Sequence, residues 1–291
     1  MRTTLRVVLG LLVVTVVGAA CKDTRPEFAR RSEREVPANI RVAREGLDQL
    51  TRSFTPILDQ LATGMAPSVQ SGVEDRVRFQ LIEARTRQVQ GGSMTLFPTA
   101  FIAAVSVAGT AIARDIARDD DFMRALPMAT MFTSVRHALD GHSAISVGEL
   151  AATADQPARV LMVAASPIRA EGGAVVGTLC AGIRYGDLSR ALEQAIRARV
   201  GTRPVLWVSL VRNGRVLPSG RDRDVPPRWL VPQPLIAQIP RDAAARLTRG
   251  NGLFTWNFIE GETRPWGAGM GTLDALEGTN VLIFRSEPDA R

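Results

Sequence analysis

The sequence predicts an α+β protein, with long N-terminal helices followed by one or two lobes, each an antiparallel sheet with helices packed on it. Three observations predict this. Apolar residues from Ile40 to Leu81 recur at steps of three and four, the period of a helix. After Gly92 short apolar runs separated by Gly-containing turns take over, the pattern of strands. A strand, Gly-turn, strand layout then occurs a second time beyond residue 200. Composition agrees: 45% hydrophobic and 22% charged residues over 291 positions describe globular material of about two domains. Two histidines and two cysteines are too few for a multi-metal protein or a disulfide framework, and 5% aromatic residues argues against a large aromatic-lined pocket. The net charge is +7, carried by arginine, since Lys22 is the sole lysine. The arginines are scattered rather than gathered into a stripe, so the charge does not indicate nucleic acid as a partner.

Residues 1–20 read as an export signal. Arg2 and Arg6 form a positive start, residues 7–20 are uncharged and apolar, and Gly18, Ala19 and Ala20 precede Cys21. The apolar run is shorter than the ~20 residues of a membrane-spanning helix. Small residues followed by cysteine resemble the bacterial lipobox, which implies acylation of Cys21 and a lipid anchor to a membrane. An ordinary secretory peptide and an uncleaved anchor are the alternatives. Cys180 then remains the one thiol besides Cys21; it sits in the apolar run 175–183 and reads as a small buried hydrophobe.

Charged, Pro-bounded residues 21–37 are expected to form a tether, and residues 38–91 a helical stalk or hairpin. Ile40, Ala43, Leu47, Leu50, Phe54, Ile57, Leu58 and Leu61 make one stripe, which Pro56 should kink or split. Residues 62–67 break it. Ser68 reads as an N-cap for a second helix carrying Val69, Val73, Val77 and Leu81 and ending near Gln90. Residues 101–107 and 111–115 form a hairpin around Gly109. A helix over 129–139 stops at Asp140-Gly141. Strands follow at 144–147, 159–167 and 174–183, the last two joined through Gly172-Gly173, and then a helix over 188–200. Beyond it, 205–211 and 216–218 flank Asn213-Gly214, a strong hairpin signal, and 253–259 and 280–285 close the chain. A Pro-rich stretch at 226–240 and a short helix at 241–247 lie between.

Residues 105–115, 164–169, 173–183 and the pair Asp187-Leu188 resemble the Cache family of PAS-like extracytoplasmic sensor domains. The family reads there as an apolar strand, a Pro-x-Arg turn, a Gly-bounded apolar strand and a helix opening with Asp-Leu. The resemblance covers roughly residues 38–200, so 92–200 is a PAS-like lobe and 201–291 a smaller second lobe, as in double Cache proteins. It implies a small ligand held between sheet and covering helices. Near those positions stand Arg114, Asp115, Arg136 and Ser166, with Arg169 and Arg184 beyond them. A guanidinium offers a planar fork to a carboxylate, which makes a small acid or amino acid the natural ligand. Yet the lobe holds one Tyr and no Trp, whereas the family's best-known amino-acid pocket is aromatic.

No Gly-x-Ser-x-Gly, His-Glu-x-x-His or P-loop pattern is present, so the protein is not expected to be an enzyme or to need a cofactor. His137 and His142 are spaced badly for one helix face; with Glu149 and Asp155 they do not add up to a metal site. Asp119, Asp120 and Asp121 read as helix caps. The run Gly267-Ala268-Gly269-Met270-Gly271 reads as a strand or loop that something approaches closely. The expected function is a lipid-anchored sensor in the periplasm or cell envelope, binding a small molecule and signalling to a separate membrane-bound partner. A structural or interaction lipoprotein with a filled PAS-like core is the rival, and a hydrolase with an unrecognised site the third reading.

Overall fold

The computed structural model describes residues 25–90, 100–115, 127–150, 159–201, 203–217, 252–259 and 265–287. The expected signal, Cys21, the acidic run at 119–121, Asp155 and the stretch 226–247 lie outside them.

A single helix, α1 (Arg25–Thr63), organises everything else. Val36, Ile40, Ala43, Leu47, Leu50, Phe54, Leu58 and Ala62 are all nearly inaccessible, one stripe at the helical repeat. The helix begins well before the expected stalk: residues 25–37, read as a tether, are helical. Phe28, Ser32 and Val36 continue the buried stripe, so that end of the helix has a surface to pack against. Pro37 and Pro56 both lie inside α1 without ending it. Pro56 is on the exposed side, where the carbonyl it leaves without an amide belongs to exposed Arg52 and is open to water.

The expected second helix divides in two, α2 (Ala66–Ser71) and α3 (Glu74–Gln90). Gly72 ends α2 in the left-handed region (φ 67°) with its amide on the Val69 carbonyl. Ser68 is therefore no cap but a buried residue within α2, and Val73 falls in the break, on the surface. Val77, Leu81 and Ala84 bury the inner side of α3.

The first sheet contains β1 (Phe101–Ser106), β2 (Ala111–Arg114), β3 (Ala144–Leu150), β4 (Arg159–Arg169) and β5 (Val175–Arg184). Its order is β2-β1-β5-β4-β3, every neighbouring pair antiparallel. Between β2 and β3 lie two short helices, α4 (Met128–Met131) and α5 (Thr133–Leu139), where one was expected. Phe132 separates them in an extended conformation, which drives its ring into the core. Helix α6 (Tyr185–Val200) follows β5 and leads to the second sheet.

That sheet contains β6 (Val205–Arg212), β7 (Arg215–Leu217), β8 (Leu253–Ile259), β9 (Trp266–Thr272) and β10 (Thr279–Ser286), in the order β7-β6-β10-β9-β8, again antiparallel. It repeats the first sheet strand for strand. Asn213 and Gly214 both have positive φ, 50° and 74°, the turn that Asn-Gly favours.

Helix α1 runs along one face of both sheets. Its first half lies on β9, where glycine occupies every position that faces it. A Cβ at Gly267 would stand 2.3 Å from the Ser32 hydroxyl, and one at Gly271 2.5 Å from Ile40. Arg44 of α1 then ties down the sheet edge, donating to the carbonyls of Thr272 (2.8 Å) and Gly252 (2.7 Å). The second half of α1 lies on β4, where Asp59 accepts hydrogen bonds from Ser143 and Ser166. Between the halves, Gly46 lets α6 approach, its absent Cβ 3.5 Å from that of Ala195.

The Gly271→Val variant should lose about 1–3 kcal/mol of stability, because the added atoms must displace α1. Gly64→Ala, where nothing lies within 4 Å, should melt like wild type. Thermal denaturation followed by circular dichroism measures both; equal melting temperatures would remove the close approach as a constraint.

Candidate functional site

The face of the first sheet turned away from α1 is the candidate site. Strand alternation sends Phe101, Ala103 and Val105 of β1 to it, together with Leu161, Val163 and Ala165 of β4. Cross-strand register adds Thr178, Cys180 and Gly182 of β5, and Ser146 and Gly148 of β3. Met128, Phe132, Val135 and Ala138 cover it from α4 and α5. Three hydroxyl contacts pin that cover: the Ser134 amide donates to Ser146 Oγ (3.0 Å), Ser146 to Ser134 Oγ (2.8 Å), and Ser134 to the Val163 carbonyl (2.9 Å).

The described part of this face is closely filled. The Phe101 ring lies where a Cβ on Gly182 would be, 2.4 Å away, and the Phe132 ring does the same over Gly148. Two glycines thus make room for two phenyl rings. Cys180 is wholly buried, donates weakly to the Ala103 carbonyl (3.5 Å) and is a free thiol. Burial pushes its pKa up from 9.0 to about 12, so it stays protonated and unreactive. Thr178, two residues before it, is also fully buried, and its Oγ1 has no hydrogen-bond partner. A buried hydroxyl without a partner is uncommon in a folded protein and is the feature of this face that asks for a ligand.

The four residues expected to bind ligand do not converge. Arg114 does reach this face, at the end of β2; its guanidinium lies 5.5 Å from the Phe101 ring centre and contacts the Ala100 carbonyl at 3.4 Å. Asp115 points the other way. Its side chain is fully inaccessible, accepts from the Ile102 amide (3.0 Å) and pairs with Arg85 of α3. Ser166 also faces the α1 side, where it donates to Asp59. Arg136 is exposed on α5. The period of two decides this: Ala165 faces the cover and Ser166 therefore faces α1. Thr178 escaped notice because it lies inside an apolar run and carries no charge; counting alternate residues back from Cys180 would have found it. His137 and His142 are exposed, and no group of three metal-ligating side chains occurs among the described residues. Nor is any described helix long and apolar enough to cross a membrane.

The corresponding face of the second sheet is more aromatic. Trp207 and Trp266 both meet Phe284 edge-on, at 5.4 and 6.2 Å, and all three are buried. The two lobes join through Tyr185, whose hydroxyl lies 2.7 Å from that of Thr279, and Arg212 donates to the Glu277 carbonyl beside it (2.6 Å). Burial pushes the Tyr185 phenol above its ordinary pKa, against the contrary pull of Thr279 and Arg212.

No protein-family model matches the sequence, and no curated protein does. Solved structures match nearly the whole chain. The periplasmic domain of Vibrio cholerae LuxQ superposes with a TM-score of 0.51 at 15% identity, covering 87% of this chain and 100% of that one. The sensor domain of the V. cholerae histidine kinase DctB gives 0.52 at 12%, covering 86% and 95%. The sensory domain of the Campylobacter jejuni chemoreceptor Tlp3, solved with isoleucine bound, gives 0.50 at 9%, covering 93% and 98%. The fold is therefore that of the Cache-like, PAS-related extracytoplasmic sensor domains, an α+β architecture of two lobes on one helix.

Arg85→Ala leaves the Asp115 carboxylate buried beside a single amide, and should cost on the order of 2–3 kcal/mol in chemical denaturation. An unchanged denaturation midpoint would show that the pair contributes nothing. The Cys180 thiol should resist iodoacetamide at pH 8 in the folded protein and react at once in urea. Its ionisation also sets an alkaline limit. The unfolded thiol releases its proton near 9 and the folded one near 12, so stability falls as pH rises across that interval.

Proposed function

We propose that this chain is an extracytoplasmic sensor protein. A lipid on Cys21 holds it to a membrane of the cell envelope, the first lobe takes up a small molecule, and the second lobe passes the change to a separate membrane-bound signalling protein. The observation that carries this reading is the architecture: two matching five-stranded sheets strung along one helix, the fold of periplasmic and extracellular sensory domains over most of the chain's length. Helix α1 enters at the second lobe, where Ser32 and Ile40 meet β9, and reaches the first lobe only at its far end. A chain anchored ahead of α1 would hold the second lobe next to the membrane and the first lobe away from it.

The described face is mostly apolar, with the Arg114 guanidinium at its edge as the charge that a small carboxylate would meet. Alanine, valine, leucine, phenylalanine and cysteine line the described face, and Thr178 supplies one open hydrogen-bonding position. Together with Arg114 that suits a small ligand with an aliphatic body and a polar or carboxylate end. Tlp3, with isoleucine and with valine bound, shows that this fold accommodates branched aliphatic ligands in another protein. A second reading rests on the same face. The phenyl rings over Gly182 and Gly148 fill space that a ligand would use, which favours an interaction protein with a solid core.

A thermal-shift screen of the exported protein against aliphatic amino acids, alcohols, amines and short acids separates the two. A ligand present at a hundred times its dissociation constant stabilises by about 2.7 kcal/mol. Thr178→Val should stabilise the free protein by roughly 1 kcal/mol and so raise its melting temperature, since it removes an unpaired buried hydroxyl. The same substitution should shrink the ligand-induced shift. If no compound shifts the protein, the solid-core reading replaces the sensor. Mass spectrometry of the N-terminus tests the anchor: an unmodified Cys21 removes it.

A further inference from the structure

We propose that the space over Gly148 is the apolar subsite of the ligand, filled in the free protein by the Phe132 ring, and that a molecule carrying a phenyl or branched aliphatic group binds by displacing that ring. The proposal rests on the sensor reading and adds to it the class of ligand and the group that moves. A Cβ at Gly148 would meet the Phe132 ring at 2.4 and 2.5 Å and the Met131 carbonyl at 2.9 Å. The ring is wholly buried within the apolar cluster of the candidate site.

The backbone at Phe132 is the joint of the cover. Met128, Phe132, Val135 and Leu139 recur at helical spacing, so one unbroken helix would also turn Phe132 inward. The chain breaks there instead, with Phe132 extended (φ −124°, ψ 109°), although residues 128–139 contain neither glycine nor proline. No side chain caps the start of α5 from the break itself. The Ser134 amide is satisfied from across the cover, by Ser146 Oγ of β3 (3.0 Å). Tertiary contact, and not local sequence, maintains the break.

The two halves of the cover are fastened at different places. Helix α5 is held on β3 and β4 by the Ser134 contacts with Ser146 and the Val163 carbonyl. Helix α4 is held at the turn between β1 and β2, where Pro127 bridges to Thr110 and the Ala129 amide makes a long bond to the Gly109 carbonyl (3.4 Å). Strands β2 and β3 are opposite edges of the sheet. A hinge at residue 132 lifts the ring off Gly148 while both fastenings stay in place. Phe101, nested over Gly182 in the same way, lacks this freedom. It belongs to β1, paired on both sides by β2 and β5, and the Arg114 guanidinium lies 5.5 Å from its ring centre. The vacated space has Leu161, the register partner of Gly148, and Leu150 beside it. Such walls admit an aromatic or branched aliphatic group and reject a charged one.

The test uses the full exported chain with Cys21→Ala and carbon-13 in its phenylalanine rings, titrated with benzyl alcohol, phenylacetate and isovalerate over roughly 0.1–20 mM. The Phe132 signal, identified by its absence from Phe132→Leu, should shift saturably. Displacing the ring lowers the apparent affinity by the fraction of molecules already open. Phe132→Ala and Phe132→Leu should therefore bind the same probe at least about tenfold tighter. Met128→Ala opens a hole in the same cover but keeps the ring, and should not tighten binding. A bound probe that leaves the Phe132 signal in place, equal or weaker binding by both Phe132 variants, or equal tightening by Met128→Ala overturns the proposal. In those three cases a probe still binds the unaltered site, and the sensor reading stands. Binding by the Phe132 variants alone also overturns the proposal, since it marks an accidental cavity. If no compound of the thermal-shift screen or the titration binds the unaltered site, the sensor reading fails together with the proposal.

Discussion

The contact on which the structure depends is the approach of α1 to the glycine face of β9. A helix normally packs on a sheet at a distance set by both layers of side chains. Here one layer is absent, and Ser32 and Ile40 rest almost on the strand backbone. The result is a helix that belongs to the second sheet as closely as a further layer would, and whose remaining length projects beyond it. The first sheet is then built on that projection. Asp59 gathers the Ser143 and Ser166 hydroxyls at the far end, and the apolar stripe from Leu47 to Ala62 supplies the rest of the attachment. Both lobes are in this way placed on one element, and α6 packs on β6 within the same apolar cluster. Beside that apolar packing is a polar contact made by Tyr185, Thr279 and Arg212, with Arg215 3.9 Å from Glu149.

The same device, glycine opposite a large side chain, recurs on the outer face of the first sheet. Gly182 receives Phe101 and Gly148 receives Phe132, which closes much of the space between sheet and cover. What remains polar there is defined by omission. Ser134 and Ser146 satisfy each other, Cys180 has the Ala103 carbonyl, and Thr178 has nothing. An orphaned hydroxyl costs free energy in the empty protein, and such a cost is commonly kept where it serves binding. This is why the ligand reading and the solid-core reading both start from these few residues.

Much of the fold was legible in the sequence, because it was written in local chemistry. The hairpin at Asn213-Gly214 follows from positive φ at two successive residues, and the stripe of α1 from the helical repeat. The apolar runs of β4, β5 and β6 needed no tertiary information either. Boundaries failed where distant partners decide. Residues 25–37 look like a charged tether until β9 offers a face for Ser32 and Val36, and Pro37 lies inside the helix that results. The glycine run of β9 announced a close approach but not its partner. The site was less legible than the fold. Charge drew attention to Arg136, which is on the surface, and to Asp115, which belongs to an ion pair with α3. Arg85, the partner of Asp115, sits thirty residues earlier in a helix that offered no sign of it.

The arrangement constrains how a signal could travel. A ligand on the outer face of the first sheet touches neither α1 nor the second lobe, because the sheet lies between. Its effect must pass through the sheet, whose inner face meets α1 at Ser166 and Asp59 and whose last strand, β5, runs directly into α6 through Tyr185. Thr178 lies on β5, seven residues before Tyr185, on an unbroken strand. Thr178 and Tyr185 are joined by continuous strand backbone, whereas the path from the sheet into α1 runs through packed side chains. The Tyr185–Thr279 contact links the start of α6 to β10, the central strand of the second sheet. For a sensor of the kind proposed above, this route would carry displacement into the second lobe through its middle strand, past an α1 that is packed on the glycine strand.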